Sequence, residues 1–399
     1  MNYDISNGGF QREIDIVYND VIKNSYVKYI KIILQSYNIM ELQNTRKPII
    51  CFFIGYTGDF NVSSNGIYGS ELALKCLAEV FSKTHNVFVF GACIKEANVN
   101  NVQYFNSNIL NQFMIDNIVD VMIISRYIYY FLEFNVKARK TYVWVHDDHV
   151  QYPWDFKYLP HKGKYLLQNV MHKIDGVIVL SEYHKKILLD LYNLDPDKLF
   201  IIGNAIDTSR YNKSVERVKN RFIYTSCPQR GLEQLVNHFE KIRQQLPDAE
   251  LWIYRGEDGF NGHFQSLLTT IKTTPYIKYM GRIDNHEIAE KQMMSEFWYY
   301  PTNFPETYCI SGLEALMAGC ICITSDFCAV RETVGNRGIL IKEPIHSEEY
   351  FNKALEQIVK IANNNDLKEY IRNNGIEWAQ TQTWENRVKE WYKLFDYKY

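Results

Sequence analysis

An excess of charge of either sign is missing from this sequence. Its 399 residues carry a formal net charge of −2, with 21 basic against 21 acidic side chains up to residue 212 and 23 against 25 after it. Neither half offers the basic surface that nucleic acid or another polyanion needs, so no nucleic-acid partner is expected. Long apolar runs are missing as well: the most membrane-like stretch, VMIISRYIYYFLEF, is too short to span a bilayer and contains Arg126 and Glu133. Local clusters such as Lys137, Arg139 and Lys140, or Lys185 and Lys186, suggest at most a weak peripheral membrane contact, and solvated helix faces account for them. The first residues show no basic segment leading into an apolar one, so no secretory leader is expected and a cytoplasmic location is. The eight cysteines are scattered. Cys320 and Cys322 have no second Cys/His pair at zinc spacing, so free thiols and no metal centre are expected. Internal repeats and low-complexity linkers are absent from the sequence too.

What is present is a 46% hydrophobic chain long enough for two domains. Residues 10–44 alternate charged and apolar positions at helical spacing (Ile14, Val17, Val21, then Tyr26, Tyr29, Ile30, Ile33), which predicts a helical N-terminal extension over residues 1–47. IICFFIGY is then a continuous apolar run of the kind found in parallel strands covered on both faces. A loop rich in Gly, Ser and Asn follows, and Ser70 and Glu71 open the helix ELALKCLAEVFSKT where capping and the helix dipole favour them. NVFVFGA, DVMIISR and TYVWVHDD alternate with helical stretches, the βαβ rhythm of a parallel sheet. His146 ends the last of these strands, and ligands bind beyond the carboxyl ends of such strands. Asp147 and Asp148 point to opposite sides if extended, which argues against a metal-binding pair.

The densest chemistry lies between Tyr300 and Val334. Pro301 and Pro305 keep Glu306 on a loop. Leu313, Leu316 and Met317 recur at helical spacing and Gly319 is the stop, so Glu314 is on a helix, followed by the buried strand CICITSD. Roughly 12 Å of axial rise separates two glutamates so placed if the segment is helical. That exceeds the separation of glycosidase acid/base pairs, about 5 to 9.5 Å. The glutamates suit the two ends of one long ligand better, with the backbone N–H groups of Tyr308, Cys309 and Ile310 between them at a helix N-terminus that attracts phosphate.

ETYCISGLE resembles the E-x7-E signature of retaining, GT-B-fold glycosyltransferases of the GT4 type, and EALMAGCICITSD resembles that family's continuation. The resemblance extends over residues 49 to 390. It implies an α/β GT-B architecture of two Rossmann-like domains facing across a cleft: an acceptor domain at 48–207, a nucleotide-sugar donor domain at 208–375, and a C-terminal helix at 376–399 crossing back. It further implies transfer of a sugar from a UDP- or GDP-sugar to a hydroxyl acceptor on a saccharide, glycoconjugate or protein, with no metal and no other cofactor. Glu306 would hold the donor sugar and Glu314 the ribose. Gly69 would let backbone approach the diphosphate, although the family's usual double glycine is Tyr68-Gly69 here. WVHD resembles the strand whose histidine, His146, faces the donor sugar. Arg230-Gly231 matches the second part of a GR…KG phosphate clamp, while Ser226 to Pro228 replaces the first, leaving Arg255 or Arg282 to assist. Arg282, in YMGRID, would stack on the nucleobase or pair with Glu287. Tyr68, Tyr152 and Trp154 are candidates for the acceptor by position. The alternatives on a related fold are a nucleotide-sugar 2-epimerase and a silent sugar-nucleotide-binding subunit.

Overall fold

The computed structural model describes residues 46–55, 60–62, 69–92, 94–134, 138–150, 160–262 (160–164 by backbone only) and 264–395. The helical extension expected at 1–47, and Tyr68, Tyr152 and Trp154, therefore lie outside the described residues, apart from 46 and 47. Residues 49–399 form one compact unit.

Within it are two sheets. The first has eight strands in the order β3-β4-β2-β1-β5-β6-β7-β8: β1 (Ile49–Gly55), β2 (Asn86–Gly91), β3 (Ala97–Val99), β4 (Val102–Asn106), β5 (Val121–Ser125), β6 (Lys140–Trp144), β7 (Gly176–Val179) and β8 (Leu199–Ile201). The second has six in the order β11-β10-β9-β12-β13-β14: β9 (Val218–Tyr224), β10 (Glu250–Ile253), β11 (Ile277–Tyr279), β12 (Ser295–Tyr300), β13 (Ile321–Ser325) and β14 (Ile339–Ile341). All pairings are parallel except β3 with β4. The apolar runs behave as parallel strands must: β5, β12 and β13 are buried at every residue, because helices cover both faces.

Three local features depart from the expected elements. Asn100 and Asn101, both at positive φ, turn β3 into β4 as a short hairpin that the helix-and-strand rhythm passed over. β6 stops at Trp144, so His146 stands just past the strand rather than at its last residue. The end of the donor domain, which on the sequence runs to residue 375, consists of two helices, Glu348–Ala362 and Asn365–Ala379, split at Asn364, whose side chain caps the second.

The last helix, Trp384–Leu394, returns to the first sheet's layer. Trp384 and Trp391 are buried, and Trp391 meets Phe81 and Trp144 edge-on, at 6.4 and 5.5 Å between ring centroids. Just before this helix, Ile206 pairs with Thr383 in an isolated parallel bridge, so the two crossings between the sheets run side by side.

Candidate active site

In each sheet the strand order reverses at the first strand. β1 carries β2 on one side and β5 on the other, and β9 carries β10 and β12. Beyond the carboxyl ends of strands at such a reversal, diverging loops leave a crevice. Gly69 opens the helix that follows β1, Arg126 follows β5 directly, and His146 lies past β6. Across from them, Arg230 is on the loop after β9 and Glu306 on the loop after β12. A cavity of about 690 Å³ is lined from both sides by all of these, together with Tyr308, Cys309, Ile310, Glu314, Arg255 and Arg282.

Arg230 and Glu306 meet in an ion pair. The Glu306 carboxylate is buried, and the same oxygen also accepts from the Tyr300 hydroxyl at 2.9 Å. Burial opposes a charged guanidinium, but Glu306 outweighs it and holds Arg230 protonated. The Arg230 guanidinium lies 4.2 Å from the Phe304 ring centroid, and its Nε is buried with no hydrogen-bond partner among the described residues. Gly231 explains why an Arg-Gly pair is needed: its φ is 99°, and a Cβ there would stand 2.0 Å from the Pro301 carbonyl oxygen. Only glycine lets the two loops close on each other.

The helix Ile310–Met317 opens into the cavity, and its N-cap residue makes no side-chain capping hydrogen bond. Its N-cap, Cys309, sits in the left-handed region at φ 66°. Burial and the Glu306 charge push the Cys309 thiol up to about 12, so it is no nucleophile at neutral pH. One turn further, Glu314 Oε1 accepts from Arg210 Nη1 at 3.1 Å, and Arg210 also donates to the Asn285 carbonyl oxygen. Arg210 lies in the segment linking the sheets, so it ties Glu314 to the crossing. Arg282 donates to Asp258 at 2.7 Å, so an aspartate rather than the anticipated Glu287 is seen against it. Arg255 stands apart from these: its side chain makes no ion pair among the described residues, and its Nε is buried without a partner.

On the facing wall, Arg126 binds Asp147 through Nε and Nη2 at 2.9 and 3.1 Å and reaches Ser70 and Glu71 through Nη1, each at 3.3 Å. Its φ of 65° is left-handed, a conformation arginine adopts at a cost. His146 lies against the Trp144 indole, 4.4 Å between centroids, and its Nε2 is buried without a partner. Burial, then Arg126 and His184, hold its pKa well below the usual histidine range, so the ring is neutral. Gly69 has φ 63° and nothing among the described residues within 4 Å of where a Cβ would sit, and it lines the cavity.

Every site residue anticipated within the described region thus lines one cavity. Arg126, Asp147, Arg210 and Thr307 went unrecognised. Arg126 was within reach of the argument used for His146, since it too follows a parallel strand; the others depend on pairings across long sequence distances.

The fold is that of the GT-B glycosyltransferases, shared with sucrose-phosphate synthase from Thermosynechococcus elongatus and with WaaG of lipopolysaccharide biosynthesis. Both superpose at a TM-score of 0.65, with 13 and 12% identity, covering 88% of this chain and 98 and 100% of those. Two family models match in tandem, Glycosyltransferase Family 4 over residues 106–210 and Glycosyl transferases group 1 over residues 213–378. Together these matches place the chain among the group 1 glycosyltransferases. Among curated proteins it is 21% identical over 174 residues to MMP alpha-(1->4)-mannosyltransferase of Mycolicibacterium hassiacum, covering 43% of this chain and 42% of that one. The chain spans less than half the length of the curated relatives it matches. An Anabaena protein, HepE, solved with UDP and glucose, superposes at TM-score 0.63 with 15% identity, covering 86% of this chain and 99% of that one.

Proposed function

We propose that the protein is a retaining glycosyltransferase that moves a sugar from a nucleoside diphosphate sugar, UDP-linked in the first instance, to a hydroxyl of a saccharide or glycoconjugate. One observation carries the reading: a protonated arginine, a buried carboxylate and a helix N-terminus converge on one cavity at the strand-order reversal. In the reaction the bond between the anomeric carbon and the β-phosphate oxygen breaks, and the acceptor oxygen bonds that carbon on the same face. The acceptor proton passes to the departing phosphate oxygen.

Each residue has a place in that step. Charge grows on the leaving group toward the transition state, so Arg230, Arg255 and the helix N-terminus act mainly on turnover. The remaining oxygen of Glu306 receives hydroxyls of the donor sugar, and that of Glu314 those of the ribose. Neutral His146 offers Nε2 to the sugar from the opposite wall. Arginines supply the positive charge that a metal would otherwise bring, so chelator should leave turnover unchanged. A cytoplasmic location, with at most a weak peripheral membrane contact, is part of this proposal.

UDP is taken first because the HepE structure holds UDP and glucose. Incubation with a panel of UDP-, GDP- and ADP-sugars, following release of the nucleoside diphosphate and the anomeric configuration of the product by NMR, tests the proposal. Donor epimerised without acceptor would point to an isomerase instead, and donor bound without any release would point to a silent binding protein.

A further inference from the structure

The donor-side loop is wired to the opposite wall by a small set of hydrogen bonds that the reaction itself does not require. The helix Glu182–Tyr192, in the half that carries the first sheet, has three first-turn N–H groups to satisfy. Its N-cap, Ser181, takes one, from His184, at 3.0 Å. The other two go to the carboxylate of Glu332, which stands after β13 in the other half: Glu182 N–H to Oε2 at 2.9 Å and Tyr183 N–H to Oε1 at 2.8 Å. A carboxylate at a helix N-terminus is favoured by the dipole as well as by the two donors.

Thr307, next to Glu306, makes the second set of contacts. Its hydroxyl donates to the His146 carbonyl oxygen at 2.8 Å, and its own carbonyl oxygen accepts from the Ser181 hydroxyl at 2.8 Å. The two sets are joined behind the cavity. Ala329 N–H donates to the Glu306 carbonyl oxygen at 3.2 Å, and the Thr333 hydroxyl donates to that of Tyr308. Glu332 therefore lies on a segment pinned at both ends to the loop that holds Glu306.

We propose that Glu332 and Thr307 are positioning residues that latch the two halves in the closed register, setting His146 opposite Glu306. The contacts are hydrogen bonds of backbone N–H, hydroxyl and carboxylate, all of which water satisfies in an opened form. Opening therefore exchanges these partners for water, and the chain crossings at Ile206 and Thr383 serve as its hinge. The inference rests on the glycosyl-transfer reading for its catalytic consequence, but the latch itself is independent of it.

The test uses the full chain with spin labels at one exposed site on each half, and compares wild type with Glu332→Gln, Glu332→Ala, Thr307→Val and Thr307→Ser. Gln keeps one acceptor oxygen and loses the charge, Ala keeps neither, Val removes the hydroxyl at constant shape, and Ser restores it. The closed fraction, read from the interlabel distance distribution of ligand-free protein, should fall in the order wild type, Gln, Ala, by at least about tenfold in the closed-to-open ratio for Ala. Thr307→Val should open the protein and Thr307→Ser should not. With a donor that wild type accepts, turnover should fall in parallel while the UDP dissociation constant stays within about threefold, since the donor half is intact. Distance distributions that are the same in wild type, Glu332→Gln and Thr307→Val would overturn the latch, even if Glu332→Ala proves unstable. Absence of any donor chemistry in wild type, with the distances shifting as stated, would leave the latch standing and overturn the transfer reading alone.

Discussion

Arg230 and Glu306, from loops after the neighbouring strands β9 and β12, form one ion pair on the cavity wall. The sequence suggests separate duties, phosphate for the arginine and sugar for the glutamate. Their pairing makes each the other's support: the carboxylate holds the guanidinium in place and protonated before any ligand arrives.

Arg230→Ala should therefore do two things at once. Losing one preorganised donor to the leaving group should lower turnover roughly a hundredfold. Leaving a buried carboxylate unpaired should also destabilise the fold, by about 2 kcal/mol, below the 3–5 of a fully buried pair because the Arg230 side chain is 31% exposed. Urea unfolding of the double variant Arg230→Ala/Glu306→Gln separates the two effects. It should regain most of the stability and none of the turnover; a double variant no more stable than the single would show that the pair is not the cause.

Arg255 brings a charge to the cavity that none of the described side chains neutralises. If it meets the diphosphate, Arg255→Gln should weaken UDP binding about tenfold, near 1.4 kcal/mol, and leave uridine binding unchanged. Calorimetry with the two ligands reads this directly. Equal weakening of both would place Arg255 at the base instead.

How much of this was legible follows from the range of the interactions. β1, β5 and β13 announced themselves as apolar runs because both faces are covered; His146 followed from the strand before it, Glu306 from the flanking prolines and Glu314 from the helical spacing around it, whereas β12, which opens with Ser295 and Glu296, was not marked as a strand. The β3–β4 hairpin was missed because its strands are short and its only signal is Asn100-Asn101, two residues that tolerate positive φ. Arg210 with Glu314, and Glu332 with the helix at Glu182, are separated by more than a hundred residues. Nothing local marks such partners. Cys309 and Arg126 in left-handed backbone are harder still, since neither residue type favours that region and only the surrounding loops impose it.

Stability should fall as the solution turns mildly acidic. Burial lowers His184 from 6.5 to about 4, consistent with its Nδ1 accepting the Leu180 N–H, and His146 is lowered in the same sense. Above pH 6.5 these rings are neutral folded or unfolded, so stability is at its full value; as pH falls below 6.5 the unfolded chain binds protons that the folded one refuses. Each group then contributes a slope of up to about 1.4 kcal/mol per pH unit. His184→Leu should be less stable at neutral pH, with Leu180 N–H unpaired, yet show a shallower decline between pH 6.5 and about 5. A decline as steep as wild type would remove His184 from the acid response.

A second ion pair, away from the cavity, fixes the donor half. Lys368 Nζ lies 2.9 Å from Glu296 Oε1, with side chains only 7 and 6% exposed, and the other Glu296 oxygen accepts from Asn220 N–H. Lys368→Met leaves that carboxylate buried beside a single backbone donor, so unfolding free energy should drop by about 3–5 kcal/mol. A loss under about 1 kcal/mol in urea would mean the pair is solvated.

The last prediction divides binding from turnover. Glu314 belongs to the donor half and is anchored by Arg210, whereas His146 reaches the cavity from the opposite wall, with its ring packed on Trp144 and its Nε2 unpartnered. Donor contacts made within one half survive when the halves part; contacts across the cavity exist only when they meet. Glu314→Ala should accordingly weaken donor binding at least as much as it lowers turnover. His146→Ala should lower turnover strongly while the donor dissociation constant moves less than about tenfold, or roughly 1.4 kcal/mol. Because His146 is already neutral through the physiological range, its ionisation should add no acid limb to the turnover profile near pH 6.5. Equal loss of donor affinity in the two variants, measured by calorimetry beside steady-state rates, would contradict the division, and normal turnover in His146→Ala would leave the ring a packing partner of Trp144.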